Sequence, residues 1–248
     1  MRIRVINPNT TAAMTALIAE SARSVAAPGT VIEAVNPEMG PASIESHYDE
    51  ALAVPGLLAE IARGEAEGVD GYVIACFGDP GLDAARELAR GPVIGIAEAA
   101  MQAASHLGRS FSVVTSLART AGRAEDLAER YGMQRFCAGV HAAEIAVLEL
   151  EDPKARRVIA EACREAVAHD GSDAVVLGCA GMADLCEYLT EEAGVPVVDG
   201  VAAATLTVQS LVTMNLRKSG RGEFAAPLPK TYVGLLADFG IEEQEAQA

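Results

Sequence analysis

The amino-acid sequence predicts an α/β protein built from two pseudo-symmetric parallel-sheet halves, with a cleft between them. Three observations carry that expectation. Short apolar runs alternate with Ala-rich segments of helical period along nearly the whole chain, the pattern of βα units and a mostly parallel sheet. Two stretches, "YVIACFGDPG" (72–81) and "AVVLGCAGM" (174–182), each end an apolar run in a cysteine followed by a glycine-containing turn. The segments around them repeat in the same order, so that "GYVIACFGDPGLDAARELARGPVIGIAEAA" runs parallel to "AVVLGCAGMADLCEYLTEEAGVPVVDGVAAA".

Taken in order, the first strand is "IRVIN" (3–7), and the helix "TAAMTALIAESARSVA" follows with apolar residues at i, i+3, i+4 and i+7. A second strand, "TVIEAV" (30–35), leads to the polar "SIESHYDE" (43–50), read as a solvated loop before the helix "DEALAVPGLLAEIARGEAEG". Strand "GYVIAC" (71–76), helix "LDAARELAR" and strand "PVIGI" (92–96) complete the first repeat. The second opens with "SFSVVT" (110–115) and closes with "DPKARRVIAEACREAVAHD", "AVVLGC" (174–179) and "PVVDG" (196–200). Between them Cys137 falls near the start of an irregular stretch. The duplication assigns residues 1–96 plus 201–248 to the first half and 97–200 to the second. The tail "KTYVGLLADFGIEEQEAQA" carries the least information.

Composition narrows the function classes. Half of the 248 residues are hydrophobic, enough for a substantial core. A net charge of −16, with 19 basic residues that form no dense block, argues against nucleic acid and leaves a small molecule as the expected partner. No apolar segment is long enough to cross a bilayer, and "MRIRVINPNTT" passes from a strand into Asn-Pro-Asn instead of a signal-peptide core, so a cytoplasmic protein without membrane association is expected. Five cysteines without a CxxC pair support neither a disulfide framework nor a structural zinc site. "HAAE" (141–144) reads as one turn of exposed helix surface before it reads as a metal site. Neither a metal nor a cofactor is expected. Ala-rich helix faces are compatible with a homo-oligomer.

Ligands of parallel α/β sheets gather at the carboxyl ends of the strands, which is where Cys76 and Cys179 fall. A buried cysteine is ordinarily a small hydrophobe, and Cys137, Cys163 and Cys186 keep that reading. Two thiols in matching positions have a joint explanation. Racemisation needs one group to remove a proton from one face of a carbon and another to deliver a proton to the opposite face. A thiol, with a pKa of about 8.5, serves in either role. Backbone amides and helix dipoles after each cysteine would favour the thiolate, while burial and the Asp79 carboxylate would oppose it.

The neighbouring residues have competing roles. Asp79, followed by Pro80, reads first as a helix N-cap with proline at N1 and second as an acid beside the thiol. The amides of Phe77, Gly78, Ala180 and Gly181 are candidates for holding an enolate oxygen. Asn9, Thr10, Thr115 and Ser116 end the first strand of each half and are candidate substrate partners. Helix capping accounts equally well for Thr10 and Ser116. Glu45 and Ser46 are candidates from the 43–50 loop.

Together "INPNT", "IES…DEA", "ACFGDPGLDA" and "VLGCAGM" resemble the hydantoin racemases, within the broader aspartate/glutamate racemase superfamily that includes allantoin racemases. The resemblance covers about the first 210 residues. It implies two pseudo-symmetric α/β domains with the active site between them, no metal or pyridoxal phosphate, and Cys76 and Cys179 as acid and base, with Cys76 acting on the D-isomer and Cys179 on the L-isomer. Amino-acid racemases of the superfamily follow their cysteines with Asn-Thr or related hydroxyl-bearing residues. Here Phe77-Gly78 and Ala180-Gly181 stand there, and the candidate loops carry Arg119 as their one basic residue. This favours 5-monosubstituted hydantoins, with allantoin as the near alternative and an amino acid next. Arylmalonate decarboxylase chemistry, with one cysteine, ranks below these. Outside enzymes, the alternative is an α/β module that binds a small ligand between its halves.

Overall fold

Strand β1 (Arg2–Ile6) runs through the middle of the first sheet because Ile3, Val5 and Ile6 are apolar on both of its faces and fully enclosed. It pairs with β2 (Val31–Val35) and β3 (Gly71–Ile74), and β4 (Val93–Gly95) joins the far side of β3, giving the parallel order β2-β1-β3-β4. A second parallel sheet repeats this strand for strand, with β5 (Phe111–Thr115), β6 (Cys137–Ala142), β7 (Ala174–Leu177) and β8 (Val197–Val198) in the order β6-β5-β7-β8. The computed structural model describes residues 1–150 and 152–241 of the chain, so the end of the expected first half, 242–248, lies outside the described residues.

Eight α-helices flank the sheets among the described residues: α1 (Ala12–Val25), α2 (His47–Glu67), α3 (Leu82–Leu88), α4 (Ile96–Ala104), α5 (Ala121–Arg130), α6 (Pro153–Asp170), α7 (Cys186–Ala193) and α8 (Gly200–Thr213). Helices α4 and α8 pack on each other and reach both sheets, α8 against β3 and α4 against β7. The largest core cluster therefore draws on both halves, joining Val5 and Val73 to Phe111, Val113, Val176 and Val201. Two smaller clusters lie outside it, one under α2 and α3 with Leu57 and Tyr72, the other under α6 and α7 with Ile159 and Leu189. No helix among the described residues is long and apolar enough to cross a membrane.

Two expectations change here. The stretch from Cys137 is an edge strand, and "HAAE" is not helical: His141 lies in β6, while Glu144 follows with φ 54° and accepts the Ala118 N–H at 3.0 Å. Small and polar residues concealed that strand, which pairs on one side only. The polar 43–50 segment is only partly a loop, since α2 already begins at His47. The Ser46 hydroxyl caps it, accepting the Asp49 N–H at 3.2 Å.

Candidate active site

Strands β1, β3, β5 and β7 end at one cleft of about 190 Å³, walled by Asn9, Cys76, Thr115 and Cys179 from the four loops that follow them. Each thiol has the same local support. The backbone N–H of Gly78 beside the Cys76 sulfur, and that of Gly181 beside the Cys179 sulfur, favours the thiolate in both cases. Neither thiol heads a long α-helix: α3 starts only at Leu82, and the turn Ala180–Leu185 after Cys179 is 3-10. The amides, not a macrodipole, are the local stabilisers.

Burial outweighs them. It pushes Cys179 up to about 11, with Glu45 adding to the rise. Cys76 is driven higher still by burial and then by Cys179, Glu50 and Asp79. Burial disfavours the thiolate at both sulfurs, and more acidic neighbours oppose it at Cys76 than at Cys179.

Residues 3–208 match the family model described as Asp/Glu/Hydantoin racemase. The chain belongs to this family. A hydantoin racemase of Rhizobium meliloti is 50% identical over 94% of this chain and 98% of its own length. One from Pseudomonas sp. (strain NS671) is 48% identical over 97% of both. The solved structure of an allantoin racemase from Klebsiella pneumoniae, 52% identical, superposes with a TM-score of 0.94 over 97% of this chain and 99% of that one. The chain is a racemase, and the reading as a non-catalytic binding module is set aside.

Of the residues named from the sequence, the racemase brings Cys76, Cys179, Asn9, Ser46, Phe77, Gly78, Thr115, Ser116 and Ala180 to the cleft wall. Thr10, Glu45, Asp79 and Gly181 stand behind it. The Thr10 hydroxyl donates to the Pro41 carbonyl at 3.3 Å and caps no helix; Thr11 stands at the α1 cap. Ser116 also caps nothing, the following 3-10 turn starting after Leu117. Glu45 accepts the Val147 N–H at 2.7 Å, tying the two halves together beside the cleft.

Asp79 is a cap, but of a different helix than expected. Helix α3 has Gly81 at its cap, whereas the Asp79 carboxylate crosses to the start of α4 and accepts the Ala97 and Glu98 N–H groups at 3.1 and 3.0 Å. Tyr131, just past α5, donates its hydroxyl to the same carboxylate at 2.7 Å. Asp79 lies against Gly95, and burial raises its pKa to about 7 against these three donors.

The racemase cleft also holds charges that the loops do not reveal. Arg123 and His47 line it together with Arg119, so Arg119 is not the only basic residue there. Arg123 donates to the Gly78 carbonyl at 2.8 Å and pairs with Glu50 at 3.2 Å, linking α5 of the second half to α2 and the Cys76 loop of the first. A side chain at position 78 would bring its first carbon within 2.0 Å of the Glu50 carboxylate, so only glycine admits this pair. The one sequence signal for Arg123 is its spacing of four from Arg119, which puts both on one side of a helical stretch.

Proposed function

We propose that this racemase interconverts the enantiomers of 5-monosubstituted hydantoins, with Cys76 and Cys179 as its acid–base pair. The observation that carries the reading is the matched pair of half-buried thiols, one from each sheet, lining one cleft with a backbone amide beside each sulfur. One thiolate takes the C5 proton, and the C5–H electron pair moves into the adjacent carbonyl as an enolate. The thiol on the other side then gives its proton to the opposite face of C5 and is left as the thiolate. Each turnover thus exchanges the protonation states of the two sulfurs, and the reverse turnover restores them. Apolar residues of the lining, among them Met14, Ile44 and Val147, supply a surface for the 5-substituent.

Allantoin, itself a hydantoin with a ureido group at C5, has one observation in its favour: Arg119, Arg123 and His47 give the cleft polar partners that a purely apolar substituent does not need. Polarimetry with optically pure benzylhydantoin, allantoin and glutamate, run in parallel, tests the substrate. Both hydantoins should lose optical activity far faster than glutamate, benzylhydantoin fastest. Fastest loss with allantoin would move the substrate to the ureido compound. Equal or faster turnover of glutamate would overturn the ring assignment.

A further inference from the structure

The edge strand β6 carries His141 to the end of α6, where His169 and Asp170 close the helix. There His141 Nε2 lies 2.7 Å from Asp170 Oδ2, and His169 Nδ1 lies 2.8 Å from Asp170 Oδ1. The three donor atoms all lie within 4.8 Å of one another, and the imidazole rings meet edge to face with centroids 5.8 Å apart. The Asp170 side chain is nearly enclosed, yet hydrogen bonds from His169, Ser112 and His141 overcome burial and hold it below the usual carboxylate range. Ser112, 2.5 Å from Asp170 Oδ2, holds the same carboxylate oxygen that faces His141, and the Ser172 hydroxyl lies 2.8 Å from that of Ser112. None of these residues lines the cleft.

We propose that His141, His169 and Asp170 form a site for a zinc-class divalent transition-metal ion, separate from the racemisation chemistry. Two imidazoles and one carboxylate are a borderline donor set that suits Zn²⁺, Co²⁺ or Ni²⁺, whereas Mg²⁺ and Ca²⁺ call for more oxygen donors. Donors each about 2.1 Å from a tetrahedral ion stand about 3.4 Å apart. Each imidazole now hydrogen-bonds the carboxylate at 2.7 or 2.8 Å and all three donors lie within 4.8 Å of one another, so an ion would replace these hydrogen bonds and draw the imidazoles apart from the carboxylate. The exposed ring of His169 marks the solvent side, leaving a fourth position for water. The Ser112 hydroxyl on Asp170 follows the usual practice of orienting a metal ligand through a hydrogen bond. A hydrolytic relay is the poorer reading of the same residues. In it a histidine must stand between serine and aspartate, whereas here Asp170 stands between Ser112 and His141 and the hydroxyl bonds the carboxylate, not an imidazole. A bound ion would join the edge strand β6 to the end of α6.

The test uses the full chain with Cys76 and Cys179 replaced by serine, so that cleft thiols take up no metal, stripped with chelator and titrated calorimetrically with zinc. One ion per chain should bind at micromolar concentration, and saturating zinc should raise Tm by about 5 °C. Adding His169→Ala, a change at an exposed side chain, should weaken binding on the order of a hundredfold while leaving the metal-free Tm near that of its parent. Cobalt should show a visible spectrum without a thiolate charge-transfer band. Absence of saturable zinc uptake, uptake that survives His169→Ala, or a thiolate band pointing to Cys137, Cys163 or Cys186 would each overturn the site.

Discussion

After Cys76 the chain turns over a buried carboxylate that is bonded to α4 and Tyr131, while Arg123 holds the Gly78 carbonyl from the opposite half. After Cys179 it passes directly into the 3-10 turn Ala180–Leu185, whose one acid, Asp184, is exposed. The two loops share their backbone donors and differ in their charges. Three groups besides burial oppose ionisation at Cys76, and one, Glu45, opposes it at Cys179. The two sheets thus repeat the same strand order and place a thiol at the same strand end, while the charges around the two sulfurs differ.

Serine at either position breaks the comparison outright. Cys76→Ser and Cys179→Ser should each reduce racemisation by about 10²–10⁴-fold, because a hydroxyl is too weak an acid to become the base readily. Proton exchange in deuterated water should then separate the two variants. Cys76→Ser is expected to keep its residual exchange with the L-isomer and Cys179→Ser with the D-isomer. The reversed pattern would exchange the stereochemical roles, and near-normal racemisation by either variant would remove the two-thiol mechanism.

The carboxylate beside Cys76 predicts a pH dependence of folding. An unfolded aspartate ionises near 3.9, whereas Asp79 in the folded chain ionises at about 7. Between those values the folded chain binds the extra proton, so Asp79's contribution to stability is greatest below about pH 4 and is lost as pH rises to 7. The loss amounts to at most about 4 kcal/mol. Urea unfolding of the parent and of Asp79→Asn from pH 4 to 8 should show it as a steeper decline in the parent alone, and parallel curves would contradict the raised pKa.

Alkylation sharpens the contrast between the sulfurs. With a small reagent at pH 8, Cys179 should be modified faster than Cys76, since more groups oppose the reactive thiolate at Cys76. Mass spectrometry of the labelled peptides gives the ratio, and equal labelling would mean that the unequal charges have no net effect. The smallest effect belongs to an exposed contact near the same loop. Arg130 of α5 pairs with Asp83 of α3, both about half exposed, so Arg130→Ala should change unfolding free energy by less than about 0.5 kcal/mol in urea titration. A larger loss would show that this surface pair, and not only buried Asp79, holds the two halves together at Cys76.

Cys76 and Cys179 stood out in the sequence because a thiol ending an apolar run is a local pattern and its repetition is visible without a fold. Strand β6 did not, because "CAGVHA" on a half-exposed edge has no apolar run to mark it. Glu50 and Arg123 escaped for another reason. Each sits on a helix among other charges, and its role depends on meeting Gly78 across 28 or 45 residues of chain. Asp79 lies between these cases: the Asp-Pro pair points to a cap, but which helix it caps is decided by β4 delivering the start of α4 beside the Cys76 loop.

A side chain placed at position 95 would bring its first carbon within 2.2 Å of the Asp79 carboxylate, although Gly95 has an ordinary φ of −83° that any residue adopts. The volume of Asp79 is therefore what excludes other residues from 95. Through descent the two positions are bound to an order of change. Loss of the carboxylate can come first and open room at 95, but enlargement at 95 while Asp79 remains must drive a buried acid from three hydrogen bonds. A lineage that gains a side chain at 95 is then expected to carry a smaller residue at 79.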